Sequence, residues 1–373
     1  MAESTRLVDL VQSDIDAFLD ARDPLLAAIG PDLLPIGRFV RDLTQGGKRF
    51  RALFCYWGWQ SVSGHGGGFD LMPDEESSPD LPAVIKAAAA LELFHAAALV
   101  HDDIMDSSDT RRGMPSAHKR FESLHRDGGF TGLAQTFGQS SALLLGDLLL
   151  GWSDELFDAG LSALPNQSPR TAARQEFNRM RTEVTLGQYL DILEERSWRC
   201  YPEPELLSRA HRVIVYKSAK YSIEAPLTIG AALGGGSIEQ LDALRGFGLP
   251  LGIAYQLRDD LLGVFGDPQT TGKPAGDDLR EGKRTVLIAL ARQAMPGNAT
   301  RLLDELLGDV DLSTEQVSML QASILKSGAV EQVERIIDHN VGLAIEAVTN
   351  AALSESARTE LVRLADTVSR RAA

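Results

Sequence analysis

Two clusters of carboxylates carry most of the chemical information in the sequence. The first, HDDIMD at 101–106, follows an alanine-rich stretch of high helix propensity. On a helix, Asp102 and Asp106 lie on one face about one turn apart, whereas Asp103 is rotated by roughly 100°. Two such acids can share hard cations. Oxygen ligands of this kind suit Mg²⁺, which keeps several waters and takes further ligands from substrate phosphates. A solvated acidic helix face gives the same pattern. The second cluster, YQLRDDLLGVFGD at 255–267, places Asp259 and Asp260 on another apolar segment that reads as helix. Two acid-bearing helices facing one cavity could hold metal ions around a single diphosphate and neutralise charge that develops as it leaves.

Basic groups accompany both clusters. QGGKRFR contains Lys48, Arg49 and Arg51, SDTRRG contains Arg111 and Arg112, and TTGKPAGDDLREGKRT (270–285) reads as a Gly-rich loop with Lys273 and Lys283. Guanidinium forks match phosphate oxygens, and neighbouring glycines let backbone approach a ligand closely. Each basic cluster taken singly also fits a solvated surface.

The elements that must position these groups are helices. Apolar residues recur at three- and four-residue spacing in ALELFHAAALVHDDI, LLLGDLLLGWSDELF and VEQVERIIDHNVGLAIEAV, while strand-like alternation is scarce. The expected class is all-α, a single domain over 1–373 with about ten or more helices. Stretches at 61–82, around 127–132 and at 163–170 are rich in Gly, Pro or Ser and read as loops.

Composition narrows the function. With 44% hydrophobic and 24% charged residues the chain should be globular. Its 37 Lys+Arg against 52 Asp+Glu give a formal charge of −15, which repels nucleic-acid phosphates and excludes a general nucleic-acid partner. An anionic ligand therefore needs a local basic site or bridging metal ions. Only two cysteines, Cys55 and Cys200, and a start without basic and apolar signal regions point to a reducing, cytoplasmic home. The apolar run 87–100 is interrupted by Glu92 and His95 and is shorter than the roughly 20 residues of a membrane span, so no transmembrane helix is expected.

Taken together, GGKRFR, HDDIMDSSDTRRG, YKSAKYS and YQLRDD with GDPQTTGK resemble the trans-isoprenyl diphosphate synthase (polyprenyl synthetase) family over nearly the whole chain. The resemblance implies long helices around a deep central cavity (the isoprenoid synthase fold), a homodimer, and two aspartate-rich motifs facing each other. It also implies a Mg²⁺ cluster of three ions with substrate bound. By position, the homoallylic (isopentenyl) diphosphate site falls on Lys48, Arg51, His95 and Arg112. The allylic prenyl diphosphate site falls on Arg111, Lys217, Ser218, Gln256 and Lys273. Metal binding falls on Asp102, Asp106 and Asp259, with Asp103 and Asp260 behind them. Gln188 and Asp191 in GQYLD match a cavity-lining segment without a direct role. Without the resemblance, His95 reads as a buried helix histidine. Two positions depart from the family: the second motif usually reads DDxxD but ends here in Gly263, and Ser218 stands where threonine is more usual.

The activity this implies is prenyl transfer: metal-assisted loss of diphosphate from the allylic substrate, attack by the double bond of the five-carbon partner, and proton loss. Along the helix below Asp102, Ala97 and Ala98 stand where makers of the fifteen-carbon product often carry aromatic rings. The expected product is therefore the twenty-carbon geranylgeranyl diphosphate, with Phe94 as floor. Rival readings are a terpene cyclase of the same fold, a farnesyl or longer-chain synthase, and a non-catalytic subunit. The paired basic sites favour chain elongation over the cyclase.

Overall fold

The computed structural model describes residues 2–63, 79–111, 113–267 and 275–369. Helices dominate it, as the apolar periodicity predicts. In chain order they are α1 (Ala2–Asp20), α2 (Asp23–Ile29), α3 (Leu34–Thr44), α4 (Phe50–Ser63), α5 (Leu81–Met105), α6 (Ala117–Asp127), α7 (Ala134–Ala163), α8 (Gln167–Ser197), α9 (Glu203–Val213), α10 (Ala225–Leu233) and α11 (Ile238–Phe265). They continue with α12 (Asp277–Glu281), α13 (Val286–Ala294), α14 (Gly297–Leu306), α15 (Thr314–Lys326), α16 (Ala329–Thr349) and α17 (Glu355–Ser369).

Four local features depart from the sequence reading. A small antiparallel pair, β1 (Thr110–Arg111) and β2 (Met114–Pro115), follows α5, with Thr110 opposite Pro115. The loop expected over 163–170 shrinks to the few residues between α7 and α8. Pro169 sits in the first turn of α8, where backbone N–H groups have no intrahelical partner to lose. Within 270–285 a short helix, α12, forms between Gly276 and Gly282, both in the left-handed region. The chain between α9 and α10, Ile214–Glu224, is π-helical. Such widening is rare and concentrates at functional sites.

The chain divides into two compact units. The first comprises Met1–Arg174 with Pro226–Ser237. Its centre is α5, which packs on α7, α4 and α1 and is apolar on nearly every face. Leu91 and Leu93 are fully enclosed, each worth roughly 1.5–3 kcal/mol of burial. By length and composition α5 could cross a membrane, but 78% of its most apolar window is buried inside the protein, as befits a core helix.

The second unit comprises Gln175–Ala225 with Ile238–Ala373. Here α11 packs against α16 and the π-helical segment. Leu257, Leu261, Leu287, Ile324 and Val333 form its core. A Ser313–Gln316 capping box starts α15, satisfying backbone donors that the first turn leaves open.

Candidate active site

In the first unit the metal-ligand candidates lie on one stripe of α5. His95, Ala98, Leu99, Asp102 and Asp106 are only partly buried, while Ala96, Ala97, Val100 and Asp103 are closed off. The spacing of three and four is that of one helix face. Asp106 N–H donates to the Asp102 carbonyl at 2.8 Å, so the two acids are one turn apart as the sequence requires. His95 belongs to this stripe and is not an enclosed core histidine. Ala97 does not belong to it: it is fully buried, one position off the face, so of the two alanines only Ala98 has a place beside Asp102.

The β1–β2 pair turns the chain back on the end of α5 and delivers Arg111. Its Nε donates to Asp103 Oδ1 at 2.9 Å, its Nη2 makes a second, shorter contact with the same oxygen, and Nη2 reaches Asp102 Oδ2 at 3.4 Å. Asp103 is 2% exposed. Burial pushes its carboxyl up, and the Arg111 guanidinium pulls it back. Asp103 is thus the clamp that aims Arg111. On the other side His101 Nε2 lies 3.3 Å from the Leu143 carbonyl and 3.5 Å from Asp147, tying the end of α5 to α7.

The QGGKRFR loop is held by Arg49, the member of its basic run that the family resemblance does not place in a diphosphate site. Gly46 and Gly47 take φ of 71° and 85°, and Arg49 is itself left-handed at φ 49°. Arg49 points inward and is buried. Its Nη1 donates to Glu92 Oε2 at 3.1 Å, and its Nη2 bonds Gln12 Oε1 and the Thr44 carbonyl. The other Glu92 oxygen accepts from Ala52 N–H at 3.3 Å. Pinned this way, the loop leaves Lys48 exposed and Arg51 half-buried on the first turn of α4. Arg112 lies outside the described residues.

In the second unit Lys217 and Ser218 are half-buried on the π-helical segment. A Cβ at Gly187 of α8 would lie 2.4 Å from Lys217 N and from Tyr216 C, so only glycine lets α8 approach the segment this closely. One turn further along α8, Asp191 Oδ2 forms an ion pair with Lys217 Nζ. This gives Asp191 a task, orienting Lys217, that the sequence left open. On α11, Asp259 is half-buried, and Gln256 Nε2 donates to Asp260 Oδ1 at 2.8 Å. Asp260 is buried, and burial pushes its carboxyl up to about 8. Lys273 lies outside the described residues.

Among the described residues no group of three or more His, Cys, Asp or Glu side chains converges on a preformed metal cage. The donors present, half-buried carboxylates in ones and twos, fit a hard ion that keeps waters and completes its shell with phosphate oxygens. Asp102, Asp106 and Asp259 could hold Mg²⁺ in that way. A cavity of about 700 Å³ in the second unit is lined by Trp198, Arg199, Arg292, Arg301 and Asp304 among others, and by none of the residues singled out from the sequence.

This arrangement of helices is the isoprenoid synthase fold, shared with a crystal structure of geranylgeranyl pyrophosphate synthase from Corynebacterium glutamicum complexed with isoprenyl diphosphate and magnesium. That similarity has a TM-score of 0.89 and 38% identity, and covers 98% of this chain and 99% of the other. The family model described as Polyprenyl synthetase matches residues 36–324. A short chain isoprenyl diphosphate synthase from Methanothermobacter thermautotrophicus is 30% identical over 330 residues, 87% of each chain. Its namesake from Methanocaldococcus jannaschii is 31% identical over 238 residues, 64% of each chain. The chain belongs to the polyprenyl synthetase family.

Proposed function

We propose that the chain is a trans-prenyltransferase that condenses isopentenyl diphosphate with an allylic prenyl diphosphate and releases a longer (E)-prenyl diphosphate, chiefly geranylgeranyl diphosphate. The observation that carries this reading is the α5 stripe. It sets the Asp102–Asp106 pair, with Arg111 beside it, directly above His95 and the small Ala98. Magnesium bound there supplies Lewis-acid charge to the leaving diphosphate. The number of ions in our reading is three, with both acidic motifs serving one diphosphate and the two units working as a single domain.

The side chains then divide the work. Arg111 and Lys217, with Lys273, Ser218 and Gln256, bind the allylic diphosphate; Arg111 is already aimed by Asp103 and Lys217 by Asp191. Lys48, Arg51, His95 and Arg112 hold the isopentenyl diphosphate so that its double bond meets the allylic carbon, an entropy-trap role. No side-chain nucleophile is required. Released diphosphate accepts the final proton, and apolar walls exclude water from the cationic transition state.

The chain acts in a reducing cytoplasm as a homodimer in this reading. Exposed Leu143 and Leu144 on α7, with Leu133 just before it, offer an apolar face for the second copy. Light scattering giving the mass of one chain would contradict the dimer. The reaction itself is tested by offering radiolabelled isopentenyl diphosphate with Mg²⁺ and ten-, fifteen- or twenty-carbon allylic primers. Elongation ending mainly at twenty carbons is expected. Cyclic hydrocarbon from an allylic diphosphate alone would reverse the choice in favour of a cyclase.

A further inference from the structure

The hairpin that delivers Arg111 cannot hold itself. β1 and β2 are two residues each, Thr110, Met114 and Pro115 are exposed, and an isolated two-stranded pair is marginal in water. Something beneath it must fix where Arg111 points. At its base Ser116 N–H donates to the Asp109 carbonyl at 2.9 Å, which closes the ends of the pair. Ser116 is also the N-cap residue of α6, with the extended backbone that capping needs, yet its side chain caps nothing. A serine there ordinarily bonds a first-turn N–H, worth about 1 kcal/mol. Here the hydroxyl lies 3.1 Å from His118 Nδ1 instead, with both residues buried.

His118 reaches both flanks of the hairpin. With the ring proton on Nε2, Nδ1 accepts from the Ser116 hydroxyl after β2, and Nε2–H faces Asp109 Oδ1, before β1, at 3.8 Å. Lys119 Nζ holds the same Asp109 oxygen at 3.2 Å. The footing of the ring is firm. A Cβ on Gly138 of α7 would lie 2.5 Å from the His118 carbonyl oxygen and 2.7 Å from Glu122 Cγ, so α6 and α7 meet closely at this turn. Glu122 is 2% exposed and accepts from Lys119 at 3.2 Å and from Arg126 at 2.8 Å. A buried, closely packed turn of helix thus carries an exposed hairpin through one imidazole. Serine, histidine and aspartate are the residue types of a hydrolytic triad, but here serine sits on Nδ1 and the acid on Nε2, and Ser116 is closed off from substrate by its burial.

We propose that His118 is a positioning residue for prenyl transfer, which holds Ser116 and Asp109 together under the β1–β2 pair so that Arg111 presents its guanidinium to the allylic diphosphate. The inference rests on the prenyltransferase reading and extends it by a residue that touches neither substrate nor metal. Asp103 sets the direction of the guanidinium, whereas His118 sets the place of the backbone that carries it.

The test is a double-mutant cycle on kcat/KM for a fifteen-carbon allylic diphosphate at saturating isopentenyl diphosphate and Mg²⁺. Wild type, H118A, H118N, S116A, R111Q and H118A/R111Q would be compared, each checked for native thermal unfolding. H118A should lower kcat/KM by about tenfold to a hundredfold, the cost of a misplacement near 1 Å. H118N, whose amide oxygen can accept from Ser116 where Nδ1 did, should keep most of the activity. In the R111Q background H118A should change kcat/KM by no more than about twofold, because its effect passes through Arg111. S116A breaks the same link with less change to packing and should lose activity in the same direction, so it carries the test where H118A is unstable. Folded H118A and S116A variants within about twofold of wild type, an equal loss from H118A with and without Arg111, or an H118N variant as slow as H118A would each overturn the inference. Failure of wild type to elongate the primer, or an R111Q variant as fast as wild type, would instead overturn the reading of the site on which it rests.

Discussion

Arg49 shows how burial gives a role to one side chain of a basic run. In sequence it sits between Lys48 and Arg51 and shares their apparent purpose; in the fold it is 6% exposed and paired with Glu92, itself 7% exposed. Breaking a buried pair from one side leaves the other charge uncompensated, at about 3–5 kcal/mol. R49A should therefore lower the urea-unfolding free energy by that amount, and R49M/E92M should recover much of it. Equal losses in the single and double variants would show that the pair is not what holds the loop. Glu92 was visible as the lone acid in an alanine–leucine run, but its partner lies in a loop with positive φ, where no periodicity reports direction.

Glu224, at the end of the π-helical segment, makes the pH argument at the same scale. It is 9% exposed, and burial raises its carboxyl above the ordinary value of 4.5. Lys220 and Arg245 lower it again, and Glu183 and Glu176 add to the rise. The folded state thus keeps a proton that the unfolded chain has already released, and stability falls as pH rises above the ordinary carboxylate range. E224Q removes this slope. Its melting temperature relative to wild type should climb as pH rises above the ordinary carboxylate range; a constant difference would count against a raised Glu224.

At the scale of elements, the approach of α8 to the π-helical segment places Lys217. Most helices here were legible because apolar residues recur at helical spacing, and α5 was legible down to the face its acids share. The π-helical hydrogen bonding leaves no comparable trace, since YKSAKYS reads like any amphipathic turn. Nor does sequence show that Gly187 is the contact point. G187A should force the segment away by overpacking, costing about 1–3 kcal/mol of stability. It should raise KM for the allylic diphosphate more than for isopentenyl diphosphate. Equal effects on both KM values would mean that the contact does not position Lys217.

For the molecule as a whole, product size follows from what lies beneath the Asp102–Asp106 pair. Sequence proposed two small residues there; burial leaves Ala98 on the α5 stripe and sets Ala97 in the core. One turn of helix spans about 5.4 Å, comparable with one isoprene unit. A98F should therefore shift the main product from twenty to fifteen carbons, measured by chromatography of the dephosphorylated alcohols. A97F should instead lower stability, because it overfills a closed position. An unchanged product in A98F would remove Ala98 from the wall.

The central proposal is that Asp102 and Asp259, from the two acidic motifs, both act in the loss of the allylic diphosphate. Turnover of D102N, D259N and D102N/D259N at saturating Mg²⁺ tests it most directly, because groups that act as a unit are strongly non-additive. Each single change should remove several kcal/mol of transition-state stabilisation, about a thousandfold in kcat. The double variant should be little slower than the slower single. Losses that multiply, about a millionfold together, would mean that the two motifs act independently and would contradict the account.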